Sequence, residues 1–97
     1  MTGKEGFDYP GASQYVQGCL AKSLAGHDKD HIFVILREEG EYVYLADGKN
    51  RTIDRPKKKK KKHIQIIYKK QEDISKKLLS GLPISDVEIK AFIRIYS

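Results

Sequence analysis

Two patterns in the chain carry residue types able to do chemistry. Cys19 with His27, His31 or His63 holds the elements of a nucleophile and a base, and His27-x-x-x-His31 with Asp28 and Asp30 holds metal-ligating groups. A thiol nucleophile needs a base within hydrogen-bond reach and a third group to orient that base. No such motif surrounds Cys19, which falls in a stretch of strand character where a buried structural thiol is expected. Two histidines four residues apart share a face only on a helix, and the segment between Leu24 and His31 reads as turn leading into strand. Glu38, Glu39 and Glu41 cluster in another turn and read as hydrated, and the sequence has no glycine-rich phosphate loop. The expectation is a protein that is not an enzyme and needs no cofactor or metal.

A third pattern, DRPKKKKKKHIQ, sets six lysines in a row, Lys57, Lys58, Lys59, Lys60, Lys61 and Lys62. The formal net charge is +6, and its distribution is uneven. Residues 1–48 carry four basic and eight acidic side chains, residues 49–70 eleven and one, and residues 71–97 four of each. The surplus therefore lies in one window, where Lys49, Arg51, Arg55, Lys69 and Lys70 flank the run. Adjacent ammonium groups repel and hold a chain extended, so the run is expected to present lysines on both sides. Such a stripe suits a polyanion, contacted through phosphates and without base reading. Two plainer readings compete: lysines that keep an edge strand from aggregating, and a peptide read by a nuclear-import receptor.

The elements that would position these residues follow from periodicity. With 97 residues the chain is expected to make one small domain with a thin core. Its single cysteine, Cys19, excludes an internal disulfide and fits a reducing compartment. The opening residues have no continuous apolar segment and do not read as a signal peptide. The longest apolar run, Ile32–Leu36, is too short to span a membrane. The expected setting is cytoplasmic, with no membrane partner.

Residues 1–14 read as a flexible N-terminal arm, 15–68 as a barrel and 69–97 as a helical segment packed on it. Strands are expected at Val16–Ser23, His31–Arg37, Tyr42–Ala46, Asn50–Asp54 and His63–Tyr68, with a type I′ turn at Asp47–Gly48 and Pro56 marking an edge or an exit. Tyr42, Tyr44 and Ala46 should share one face, Val43 and Leu45 the other. Five short strands joined by tight turns suggest a small closed or half-closed barrel. A helix is expected over Glu72–Ser80, capped by Gly81, and a second from Ser85, where Ser85 and Glu88 have capping-box spacing. On that second helix Asp86, Lys90, Arg94 and Ser97 make a narrow polar face. Its wide apolar remainder must be covered by the barrel or by another chain, which leaves a homodimer through Val87–Tyr96 open.

The stretches AKSLAGHDKDHIFVIL and EYVYLADGKNRTIDRPKKKKKKHIQ resemble the KOW-motif RNA-binding proteins. In particular they are similar to small bacterial relatives of a large-subunit ribosomal protein of archaea and eukaryotes. The resemblance runs from about Val16 to Gln65, and more weakly through LPISDVEIKAFIRIY. It implies an SH3-like barrel whose first turn, Ala25 to His31, lies against structured RNA, with ribosomal or other structured RNA as the expected partner, ribosomal proteins as further candidate partners, and no catalysis. Gly26, Asp28 and Lys29 fall on the motif's turn, and His27 stands where a basic residue is common. Asp30 departs from the pattern, which has a second glycine there; aspartate tolerates the left-handed region better than most residues. The resemblance and the charge window together give an expected RNA surface of Gly26, His27, Asp28, Lys29, Lys49, Arg51, Arg55, Lys57 to Lys62 and His63, in a ribosome- or translation-associated protein. The alternative is a protein-interaction module that uses Phe33, Tyr42, Tyr44 or the helix Val87–Tyr96.

Overall fold

The computed structural model describes residues 17–96, so the expected N-terminal arm and Val16 lie outside the described residues. Five antiparallel strands form one sheet: β1 (Cys19–Ser23), β2 (Ile32–Glu39), β3 (Tyr42–Ala46), β4 (Lys57–Lys60) and β5 (Ile64–Lys70), followed by helices α1 (Glu72–Ser80) and α2 (Asp86–Tyr96). The order across the sheet is β4-β3-β2-β1-β5, so β4 and β5 are its outer strands. A 3-10 turn, Lys61–His63, links them. This turn is tied to both ends of the sheet: the Lys61 amide donates to Glu41 O at 2.8 Å and the Leu24 amide to His63 O at 2.8 Å.

The alternation read from Tyr42–Ala46 holds and organises both faces. On one face Cys19, Ala21, Phe33, Ile35, Val43, Leu45 and Ile64 bury one another. On the other, Leu20, Val34, Leu36 and Ala46 meet Ile74 of α1 and Ile89 and Phe92 of α2. A break in register between Ile35 and Arg37 changes the second face along β2. Leu36 still lies under the helices, and beyond it Arg37 pairs with Tyr44 on a surface that carries polar side chains.

The fourth strand is displaced from its expected place. Asn50–Asp54 forms no strand, and the lysine run itself pairs with β3, Lys57 with Leu45 through Lys60 with Tyr42. The cause is visible in where the loop's amides go. Asp47 Oδ1 accepts from the amides of Lys49 and Arg51, both at 2.8 Å, and Asp86 Oδ1 on α2 accepts from Ile53 N at 2.9 Å. Donors held this way cannot serve a ladder. The Asp47–Gly48 turn is accordingly not type I′: Gly48 has φ +77°, while Asp30 is the only non-glycine of positive φ among the described residues. Pro56 stands immediately before an edge strand, where its missing N–H costs no ladder bond.

Both helices follow their caps. Gln71 accepts from Ile74 N at 2.8 Å to open α1. Gly81, at φ +74°, closes it, its amide and that of Leu82 bonding back to Leu78 O and Lys77 O. Before α2, Glu88 N donates to Ser85 Oγ at 3.2 Å and Ser85 N to Glu88 Oε1 at 2.9 Å, the reciprocal capping box. The apolar face of α2 is only partly used: Ile89 and Phe92 are buried and Ile93 is packed against them, whereas Val87 and Ile95 stay exposed.

The 47–53 loop lies directly on α2, and Gly48 makes that possible. A Cβ at this position would sit 2.3 Å from Asp86 O and 2.9 Å from Lys90 Cγ. Gly48→Ala should therefore cost about 2 kcal/mol or more, combining left-handed strain with a backbone clash. Gly40→Ala, where nothing lies within 4 Å, should cost less. Comparing the two by urea denaturation checks whether the loop–helix contact is a rigid part of the fold.

Candidate nucleic-acid interface

Because Lys57–Lys60 is a strand, its side chains divide between the two faces. Lys59 points inward and is only 9% exposed. Its ammonium donates to Ala25 O at 2.7 Å and to Asp28 Oδ1 at 2.8 Å, so it fastens the first turn to the sheet. Lys57, on the same side, lies 3.5 Å from Asp28 Oδ2. Ser23 Oγ, fully buried, approaches Asp28 Oδ1 at 2.8 Å and Ala25 O at 3.0 Å. The turn is closed by its own backbone: Asp30 N donates to Ser23 O at 2.7 Å and His31 N to Asp28 O at 2.9 Å. Asp30 adopts φ 71°, a left-handed conformation that aspartate tolerates better than most residues.

Burial on its own would raise the Asp28 pKa. The hydrogen bonds from Lys59 and Ser23, with the charges of Lys59 and Lys57, overcome it and hold the carboxyl at about 2. A pKa below the unfolded value means that ionised Asp28 stabilises the fold. That contribution is complete above about pH 4 and disappears as the pH falls towards 2. A shift from 3.8 to about 2 corresponds to about 2 kcal/mol. Asp28→Asn should flatten the acid limb of a stability-versus-pH curve in that window, as read by thermal melts between pH 2 and 5.

The outward side of β4 is different. Arg37, Tyr44 and Lys58 line up across β2, β3 and β4, with Tyr42 and Lys60 in the next row. The Arg37 guanidinium stands 3.9 Å from the Tyr44 ring centroid, and Lys58 Nζ stands 4.5 Å from that of Tyr42. Glu39 borders the row and accepts from Tyr44 Oη at 3.0 Å. Lys61 pairs with Glu38. Lys58, Lys60 and Lys62 are exposed and have no carboxylate partner among the described residues. Lys60, Lys61 and Lys62, with Gly40 and Glu41, border a surface hollow of about 430 Å³.

The remaining expected site residues fall into two groups. His27, Asp28, Arg51 and Lys57 meet around a cleft of about 270 Å³ between the first turn and the 47–51 loop. Gly26 and Lys29 lie exposed at the turn, Lys49 and Arg55 lie exposed in the loop after β3, and His63 ends the 3-10 turn, half-buried. The first turn and the lysine run are thus adjacent, but the lysines facing the turn are those already neutralised by Asp28. His31, absent from the expected surface, borders this cleft; its Nε2 is 2.8 Å from Asp47 Oδ2. Burial opposes ionisation of Asp47, yet the amides of Arg51 and Lys49, together with His31, hold its pKa below the usual carboxylate value.

Cys19 is buried. Among the described residues no group of three or more His, Cys, Asp or Glu is placed to hold a metal ion, and no helix is long and apolar enough to cross a membrane. No family model matches the chain, and no curated protein matches it in sequence.

Proposed function

We propose that this protein is a non-enzymatic RNA-binding module of the KOW type, ribosome- or translation-associated, that contacts RNA phosphates through the outward side of β4. The observation that carries the reading is the division of the lysine run. Lys57 and Lys59 are engaged by Asp28, while Lys58 and Lys60 on the outward side of β4, and Lys62 in the 3-10 turn after it, are exposed without a carboxylate partner among the described residues, Lys58 standing over the Tyr42 ring. Lys58 and Lys60, at strand spacing about 6.6 Å apart on one side, suit a phosphate backbone, and the tyrosines give the patch flat apolar surface.

An SH3-like barrel is part of the proposal. The cluster Cys19, Ala21, Phe33, Ile35, Val43, Leu45 and Ile64 consists of strand residues and the first residue of β5, with no helix residue in it. A sheet that buries one face without a covering element does so by curling on itself, and the 3-10 turn between its two outer strands brings those strands toward each other.

Titration of a labelled structured RNA at several salt concentrations tests the function. Binding should weaken linearly on a log–log plot with a slope of several units. Affinity that is absent at low salt, or indifferent to salt, overturns the reading. The position of β4 at the sheet edge favours a second role for the same lysines, protection against edge-to-edge pairing. The exposed Leu79, Leu82, Val87 and Ile95 favour a protein contact on the helical side, including a homodimer, which light scattering would detect.

A further inference from the structure

Lys90 and Arg94 sit one turn apart on α2 and so share a face. The 47–53 loop, pressed onto that helix at Gly48 and tied to it by the Ile53–Asp86 bond, brings Lys49 to the same place. These three cations border a cleft of about 410 Å³ that is also lined by Asp30, His31, Asp47 and Asn50. Like charges gathered in this way repel one another unless an anion lies between them.

Two carboxylates, Asp30 and Asp47, also line the cleft, but neither forms an ion pair with the three cations. Asp47 is occupied by the amides of Lys49 and Arg51 and by His31, and Asp30, largely exposed, lies 3.9 Å from Lys22. Lys49, Lys90 and Arg94 form no ion pair among the described residues. The cleft adjoins the one beside the first turn, with His31, Asp47 and Asn50 bordering both. The two adjoining clefts, taken together as a trough, carry His27 and Arg51 on one side and Lys90 and Arg94 on the other, with Asp28, Asp30 and Asp47 also in the lining.

We infer that this trough is a second phosphate track, in which α2 supplies one bank and a phosphodiester segment of the bound RNA lies between Lys49, Lys90 and Arg94. The inference rests on the RNA-binding reading above and extends it to a helix whose polar face otherwise reads as solvated. Chain phosphates suit the trough because cations stand along its length rather than at one point.

The test compares wild type with Lys90→Gln/Arg94→Gln, which keeps the aliphatic stem beside Gly48. Binding of a structured RNA is followed over salt, and backbone amide shifts are recorded on adding a short single-stranded oligonucleotide. The variant should melt like wild type, and its log–log salt slope should fall by about 1.4–1.8, at roughly 0.7–0.9 for each phosphate no longer neutralised. Shifts in the wild type should include Lys49, Asn50, Lys90 and Arg94. The swap Lys90→Arg/Arg94→Lys, which keeps both charges, should retain the slope. An unchanged slope in the glutamine variant, with wild type still binding, overturns the second track and leaves the β4 surface standing. Failure of wild type to bind RNA at all overturns both.

Discussion

Replacing Lys59 by alanine should destabilise the fold by about 3 kcal/mol, the scale expected when one partner of a buried ion pair is removed. For a domain of this size that is a fall in melting temperature of roughly 15 °C. The size of the effect comes from what is left behind. Ala25 O and Asp28 Oδ1 lose their donor, and the carboxylate remains in a site built around an ammonium. Lys57, at 3.5 Å, can compensate only in part. The neighbouring Lys58→Ala should cost about 1 kcal/mol or less, since it removes an exposed ammonium and its contact with Tyr42. Two adjacent lysines of one homopolymeric run would then differ several-fold in their effect on stability. The double variant Asp28→Asn/Lys59→Met should recover part of the loss, because neither buried charge then stands alone. Thermal and urea denaturation of wild type, the two single variants at these positions and the double variant forms a double-mutant cycle. Equal effects of Lys59→Ala and Lys58→Ala would refute the inward anchor.

On the outward side the expectation reverses. Lys58→Ser/Lys60→Ser/Lys62→Ser should leave the fold nearly as stable as wild type and lower the log–log salt slope of RNA binding by up to about 2.7, at about 0.9 for each duplex phosphate that the variant leaves unneutralised. These side chains are exposed and have no carboxylate partner among the described residues, so their removal leaves no buried charge unpaired. The same variant separates binding from edge protection. If the lysines only guard the edge, the slope is unchanged and the protein aggregates with rising concentration, visible in light scattering. If they bind phosphate, the slope falls while the protein stays monodisperse. Replacing all six lysines together would confuse these outcomes, because loss of Lys59 disturbs the first turn as well.

Much of the fold was legible because it depends on local patterns. The run Ile32–Leu36 and the alternation of Tyr42–Ala46 carry strand signals in their side chains, and Gln71 to Gly81 and Ser85 to Glu88 carry their own helix stops and starts. The fourth strand was misplaced for an equally specific reason. Asn50–Asp54 has the composition of a returning strand after a turn, but its amides are taken by Asp47 and by Asp86, the latter 33 positions away from Ile53. Six consecutive lysines have no hydrophobic alternation to reveal a strand. Only pairing with Tyr42–Leu45 makes the first four of them one.

The candidate site divides along the same line. Charge is additive along a chain, so the concentration of basic residues in 49–70 is a property of the residues and needs no fold to be seen. Which of those charges remain available is a property of three dimensions. Asp28 lies 31 positions from Lys59, and their meeting takes one lysine out of the surface and turns it into a structural clamp. Lys90 and Arg94, read as part of a narrow polar helix face, stand beside Lys49 because Gly48 lets a loop lie flat on α2. How much positive charge this protein carries, and where along the chain it lies, is written in its residues alone. Folding settles which cations are neutralised and which face outward together, because ion pairing depends on distances in space between residues far apart in the chain.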